Sequence, residues 1–235
     1  MKKMYKNLVK GIREYFKGNK IKKAVIGLSG GIDSALSLKL VADAIGNGNI
    51  TALLMPEKGL TKLENVDDAA ELCKLLRVKY QIIEINPILE KFKNLTIKQN
   101  KQSWINLKPR IRAVILYNYS NANDALVIGT SNKTEMSLGY FTKYGDGACD
   151  IEVIGELYKT EVWQLSKYLK LPDSIINKTP SAELYHGHTD EGEIGEEYKN
   201  IDKMLQGKMK KSKRIIDLIQ KNKHKTEKVY VVKVK

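Results

Sequence analysis

The sequence predicts an α/β fold, an open and mostly parallel twisted sheet with helices on both faces. Three observations predict it. Four short apolar runs, AVIGL (24–28), NITALLMP (49–56), YQIIEI (80–85) and ALVIGT (125–130), read as strands, AVIGL and ALVIGT as buried ones. Segments with apolar residues at helical spacing lie between them, and strands that alternate with helices build parallel sheets covered on both faces. Helix and strand ends coincide with breakers, at Gly46, Gly48, Pro56 and Pro87.

The elements follow in order. The opening MKKMYKNLVKGIREYF spaces Tyr5, Leu8, Val9, Ile12, Tyr15 and Phe16 as one face of an amphipathic helix. After the first strand, Ala35, Leu36, Leu40, Val41, Ala44 and Ile45 define a helix that ends near Gly46 and Gly48. The second strand stops at Pro56, and ENVDDAAELCKLLR then places Val66, Ala69, Ala70, Cys73 and Leu76 on one helical face. The third strand is closed by Pro87, two or three short helices run through Asn118, and the fourth strand follows. The remaining third reads as a glycine-punctuated polar segment (GYFTKYGDGACDIEVIGEL), a helix (TEVWQLSKYLKL), a long acidic loop at 178–195 and a helical tail. An irregular loop of that length is commonly a lid or a disordered segment. A second mobile candidate is EKGLTKLEN, at 57–65.

Size and composition narrow the class. The 235 residues suit a single domain over 1–235 with a substantial core and no need of disulfides. No apolar run approaches the ~18 residues of a membrane span and no signal-peptide pattern is present, so the expectation is a soluble, cytoplasmic protein without a membrane partner. Cys73 and Cys149 stand apart with no metal-ligand spacing and read as ordinary thiols. The formal charge of +14 would suit nucleic acid. That charge is nearly all lysine spread along the chain, and the densest cluster, KMKKSKR, has no interleaved aromatics, so nucleic acid is not the expected partner.

The chemistry is concentrated where strands end. In open parallel sheets, ligands bind beyond the carboxyl ends of the strands. SGGIDS (29–34) lies at one such end and TSNKTE (130–135) at another. A glycine turn leading into a helix start offers backbone N–H groups and a positive dipole end to an anion such as phosphate. SGGIDS lacks the Gly-Lys-Ser/Thr ending of a Walker loop, but it supplies the Ser29 and Ser34 hydroxyls, and Asp33 can hold a magnesium ion bridging phosphates. The plainer alternative makes Asp33 a helix cap. Likewise Glu135 and Asp146, and the cations Arg110, Lys143 and Lys159, are surface charges by default.

SGGIDS after a buried strand resembles the pyrophosphate loop of the N-type ATP pyrophosphatases. The run GTSNKTEMSLGYFTKYGDGACD, together with LYKTEVWQL, KTPSAELYHGHTDEGEIGEEY and PRIRAVILYNYSN, is similar to the ammonia-dependent NAD synthetases, and the likeness extends over about residues 1–225. The resemblance implies an adenine nucleotide alpha hydrolase-like, Rossmann-like fold. It implies a carbon–nitrogen ligase that adenylates the nicotinate carboxylate of deamido-NAD with ATP, releases pyrophosphate, and amidates the adenylate with ammonia to give NAD and AMP.

Site residues carry over position by position. The loop Gly27, Leu28, Ser29, Gly30, Gly31, Ile32, Asp33 and Ser34 matches the family's ATP phosphate loop. Thr130, Lys159 and Ser181 match further ATP or pyrophosphate contacts, with Asp33, Lys159 and Ser181 the implied catalytic group. Asp33 and Glu135 match the magnesium ligands, and Asp146 an acidic position near them. Arg110, Lys143, Asp150, His224 and Lys225 match contacts to deamido-NAD; the last two precede a tail, TEKVYVVKVK, that departs from the family pattern. The family is generally a homodimer. No glutaminase domain is legible, so free ammonia or an external glutaminase is the implied nitrogen source. A tRNA-modifying pyrophosphatase-loop enzyme and a catalytically silent nucleotide-binding module remain alternatives on the residues alone.

Overall fold

The computed structural model describes residues 1–95, 97–183 and 185–234. Helix α1 (Lys2–Asn19) precedes strand β1 (Lys23–Gly27), helix α2 (Ile32–Ile45) and strand β2 (Ile50–Leu54). Next come α3 (Leu63–Leu76), β3 (Lys79–Ile82), α4 (Asn86–Lys93), α5 (Lys101–Asn123) and β4 (Ala125–Gly129). The remainder is α6 (Lys133–Leu138), β5 (Ile151–Glu152), α7 (Lys159–Tyr168), α8 (Asp173–Ile176), α9 (Asp190–Ile194), α10 (Tyr198–Leu205) and α11 (Lys213–Thr226). The five strands are all parallel in the order β3-β2-β1-β4-β5. The order reverses between β1 and β4, so the ends of those two strands flank the crevice where such sheets bind ligands.

Period-two alternation divides the core. Ala24, Ile26 and Leu28 face a cluster built with α1, α2, α3 and α7, whereas Val25, Leu53 and Val127 face α4 and α5 through Ile85, Leu89 and Ile111. Valine, isoleucine and leucine on both faces make these strands read as continuous apolar runs. A third cluster, Leu138, Ile194, Tyr198, Ile201, Met204 and Ile215, joins α6 to α9, α10 and α11 beside the strand ends.

Three expectations are corrected. The short helices expected through Asn118 are instead α4 and one 23-residue helix, α5, which continues through Pro109 to Asn123. A proline inside a helix removes one ladder bond. Burial of Ile105, Ile111 and Ala113, the Lys108–Glu57 ion pair at 2.7 Å and the bond from Arg112 Nε to Met55 O at 2.9 Å hold the helix across that gap. The glycine-punctuated segment contains β5, only two residues long, which pairs Ile128 with Ile151 and Gly129 with Glu152. The acidic loop at 178–195 contains α9, capped where Thr189 Oγ1 accepts from Gly192 N at 3.2 Å. Among the described residues, no helix is long and apolar enough to cross a membrane.

Candidate functional site

The loop after β1 is shaped by its glycines and serines. Leu28 N still donates to Leu53 O at 3.0 Å, so the chain leaves the sheet only at Ser29. Gly30 has φ +80°, and a Cβ there would lie 2.2 Å from Asn65 O, so both conformation and space demand glycine. Ser29 and Ser34 close the loop on itself: their hydroxyls lie 3.1 Å apart, and Ser34 Oγ donates to Gly31 O at 3.0 Å. Gly31 is the N-cap of α2 and no side chain caps it, so Asp33 is not the cap that the plainer reading allowed. Ile32 is buried and anchors the first turn.

Asp33 points instead across the crevice. Its Oδ2 accepts from Lys159 Nζ at 2.5 Å and its Oδ1 from Asn132 Nδ2 at 2.9 Å. Lys159 Nζ also lies 3.4 Å from Glu135 Oε1. Residues from β1–α2, β4–α6 and the start of α7 therefore meet at one point, although 126 positions separate Lys159 from Asp33. Lys159 is 1% exposed, and burial opposes its charge; the carboxylates of Asp33 and Glu135 outweigh that and raise its pKa. Burial likewise pushes the Glu135 carboxyl up, against the opposing pull of Lys159. The ring of Tyr198 lies 5.0 Å from Lys159 Nζ and that of Trp163 6.0 Å, two π-faces that favour a buried ammonium.

The supports of this centre are residues that sequence reasoning missed. Asn132 caps α6 reciprocally: Glu135 N donates to its Oδ1 at 3.0 Å, and its own N donates to Glu135 Oε2 at 3.2 Å. The spacing of Asn132 and Glu135 is that of a capping box, a signal present in the sequence. Asp202, 2% exposed on α10, accepts from Thr134 Oγ1 (2.5 Å), Thr160 N (2.9 Å) and Thr160 Oγ1 (2.7 Å). Thr134 Oγ1 in turn accepts from Lys159 N at 3.0 Å. One buried carboxylate thus ties together the first turns of α6 and α7 and fixes where Lys159 begins. No local pattern marks Asp202, which acts entirely through tertiary contact.

Other expected site residues lie around this centre without joining it. Thr130 stands at the end of β4, half-buried. Ser181 Oγ donates to His188 O at 2.6 Å and lies 3.1 Å from His188 Nδ1, bonds internal to the 178–195 segment. Asp150 Oδ2 accepts from Val127 N at 2.7 Å. Arg110 leans towards Lys143 O at 3.4 Å, Lys143 Nζ donates to His224 O at 2.7 Å, and Lys225 Nζ donates to Gly139 O and Phe141 O at 2.8 and 2.9 Å. Asp146 Oδ1 accepts from Thr142 N at 2.8 Å and closes its own turn. No group of three or more metal-ligating side chains exists among the described residues.

The two segments expected to be mobile meet each other. Asn65 Nδ2 donates to Glu183 Oε1 at 2.7 Å, and Lys178 Nζ bonds Asn65 Oδ1 (2.6 Å), Asp68 Oδ2 (2.6 Å) and Gly30 O (3.2 Å). Lys178 therefore links the start of the 178–195 segment to the glycine loop itself.

Two carboxylates converging on a single cation suit magnesium, which takes one or two carboxylates and leaves its remaining positions to water and substrate phosphates. The donor set fits that ion: both groups present hard oxygen, and Lys159 marks the point that they share.

Comparison with known proteins gives this geometry a lineage. A family model described as NAD synthase matches residues 4–234. An NH(3)-dependent NAD(+) synthetase of Archaeoglobus fulgidus is 44% identical over 218 residues, covering 90% of this chain and 88% of the relative. Among solved structures, an NMN synthetase from Francisella tularensis superposes with a TM-score of 0.92 at 35% identity, covering 99% of this chain and 98% of that one. An NH3-dependent NAD synthetase from Campylobacter jejuni, in complex with the nitrate ion, gives 0.80 at 37% identity with the same coverage. The match runs almost end to end and includes the glycine loop, Glu135 and Lys159, so the chain belongs to the NAD synthase family.

Proposed function

We propose that this chain uses the crevice between β1 and β4 to activate a nicotinate carboxylate with ATP and amidate it with ammonia, so that its activity is ammonia-dependent NAD synthesis. A carboxylate does not exchange oxygen for ammonia unaided, because the charge on its oxygens makes the carbon a poor electrophile and the leaving group is poor. In the proposed sequence the carboxylate oxygen attacks the α-phosphorus of ATP and the bond to the β-phosphate bridging oxygen breaks, expelling pyrophosphate. Ammonia then attacks the acyl carbon, the bond to AMP breaks, and a proton is released. The observation that carries this reading is the buried Lys159 ammonium held between Asp33 of the glycine loop and Glu135.

Each residue has a part. The loop from Gly27 to Ser34 receives the phosphates, with backbone approach permitted at Gly30 and Gly31. Lys159 stabilises charge that develops on the departing pyrophosphate, a role suited to a desolvated and preorganised cation. Thr130 and Ser181 contact ATP, the latter when the 178–195 segment lies over the site and keeps water from the adenylate. Asp33 and Glu135 would hold magnesium. When bound, that ion neutralises phosphate charge and aligns the leaving group. Arg110, Lys143, Asp150, His224 and Lys225 receive the dinucleotide acid. The reading extends to a single synthetase domain over 1–235, working as a cytoplasmic homodimer on free ammonia or ammonia from an external glutaminase.

A second reading rests on the 0.92 TM-score to the Francisella NMN synthetase: the acid amidated is the mononucleotide. Purified protein with ATP and magnesium is given deamido-NAD or nicotinate mononucleotide, with and without ammonium. Ammonium-dependent NAD, AMP and pyrophosphate in equal amounts from deamido-NAD is the expected result. Turnover of the mononucleotide alone would establish the second reading, and turnover of neither would reject both.

A further inference from the structure

We propose that Asn132 is the positioning residue that sets both magnesium-facing carboxylates, an inference that rests on the metal–phosphate reading above. Asn132 is fully buried, and its polar groups are committed on both sides. Its Oδ1 accepts from Glu135 N at 3.0 Å, its backbone N donates to Glu135 Oε2 at 3.2 Å, and its Nδ2 donates to Asp33 Oδ1 at 2.9 Å. The amide orientation is fixed by chemistry: a flip would set the NH2 group against the Glu135 N–H and the amide oxygen against a carboxylate.

Capping alone does not require asparagine here. Serine, threonine or aspartate would cap α6 comparably. None of the three satisfies Asp33: aspartate would oppose one carboxylate with another, and serine and threonine are too short to both cap and reach. Asparagine supplies an acceptor to the helix and a donor to Asp33 from one rigid plane. With Oδ1 held by Asn132 and Oδ2 by Lys159, the carboxylate plane of Asp33 is determined, and the capping box turns the other oxygen of Glu135, Oε1, towards Lys159. A single side chain thereby aligns ligands contributed by β1–α2 and β4–α6, as residues behind metal ligands commonly do.

The test measures thermodynamic coupling. Binding of a non-hydrolysable ATP analogue is followed by calorimetry with excess magnesium and with EDTA, for the parent, Asn132→Ser and Asp33→Asn, alongside thermal melts. Serine keeps the cap and deletes the donor. The expected result for Asn132→Ser is a melting temperature within a few degrees of the parent, unchanged magnesium-free affinity, and a magnesium-dependent gain in affinity smaller by about 10–100-fold. Should Asn132→Ser not fold, Asn132→Gly, which also serves as a helix cap, takes its place in the same comparison. A parent-like gain in the Asn132 variant, with the gain lost in Asp33→Asn, would reduce Asn132 to a helix cap and overturn the proposal. A parent-like gain in both variants would show that the metal–phosphate reading itself has failed, and the proposal with it.

Discussion

Where ATP is proposed to bind, Lys159 is 1% exposed and its ammonium meets two carboxylates, whereas Lys143, Arg110 and Lys225, the cations proposed to receive the acid, turn to backbone carbonyls. The two halves differ in what ligand binding must undo. Asp33, Glu135 and Lys159 are already oriented by Asn132, Asp202, Trp163 and Tyr198, so the phosphate proposed to bind there would meet fixed charges. The acid-side cations occupy neutral acceptors that a substrate phosphate or carboxylate, carrying full charge, can displace. A substrate anion adds a full ion–ion attraction that a neutral carbonyl cannot supply, which favours that exchange. On the proposed function, chemistry falls to the rigid half and recognition to the adaptable one.

The contrast breaks most severely at Asp33. Asp33→Ala removes a proposed metal ligand and leaves Lys159 with one partner, and NAD formation is expected to fall about a thousandfold or more, roughly the cost of losing a main electrostatic element of a site. Asp202→Ala strands the buried Thr134 hydroxyl and unties the half-buried Thr160; a loss of about 2–4 kcal/mol is expected, visible in denaturant melts, together with reduced activity because the start of α7 is released. Lys143→Ala probes the adaptable half: KM for deamido-NAD should rise roughly tenfold while KM for ATP and the melting temperature stay near the parent, as for a contact used mainly in binding.

The smallest effect sharpens the boundary between the halves. Glu152, at the end of β5, accepts from Ser131 N at 3.0 Å, and burial pushes its carboxyl up to about 7. A carboxyl whose folded pKa exceeds its unfolded value binds more protons in the native state between the two, so stability falls as pH rises from about 4.5 through about 7. Glu152 should contribute roughly 1–3 kcal/mol to a decline of the parent's stability across that window, and Glu152→Gln should make the decline shallower, leaving the part carried by Glu135. An unchanged slope in the variant would assign the pH dependence to other groups.

Much of the scaffold is legible in the residues. AVIGL, the glycines of SGGIDS and the apolar spacing from Ala35 to Ile45 specify β1, the loop and α2 by local chemistry, and the structure follows them. Helix α5 runs on where short helices were expected, because Pro109 imposes only a local penalty, which the burial of Ile105, Ile111 and Ala113 outweighs. Strand β5 escaped notice because two residues have no periodicity. In the site, Asp33, Glu135 and Lys159 stand out as charges in recognisable motifs, but Asn132 reads as an ordinary cap and Asp202 as one acid on an amphipathic helix. Their contributions arise only when positions 99 and 68 residues away arrive beside them.

The most direct measurement is isotope exchange between pyrophosphate and ATP in the presence of deamido-NAD and magnesium, with no ammonium, in the parent and in Lys159→Met. This isolates adenylation from amidation. Exchange in the parent that depends on deamido-NAD and falls at least a hundredfold in Lys159→Met is the predicted result. Undiminished exchange in a folded Lys159→Met variant would contradict the assignment of pyrophosphate departure to the buried Asp33–Lys159–Glu135 centre.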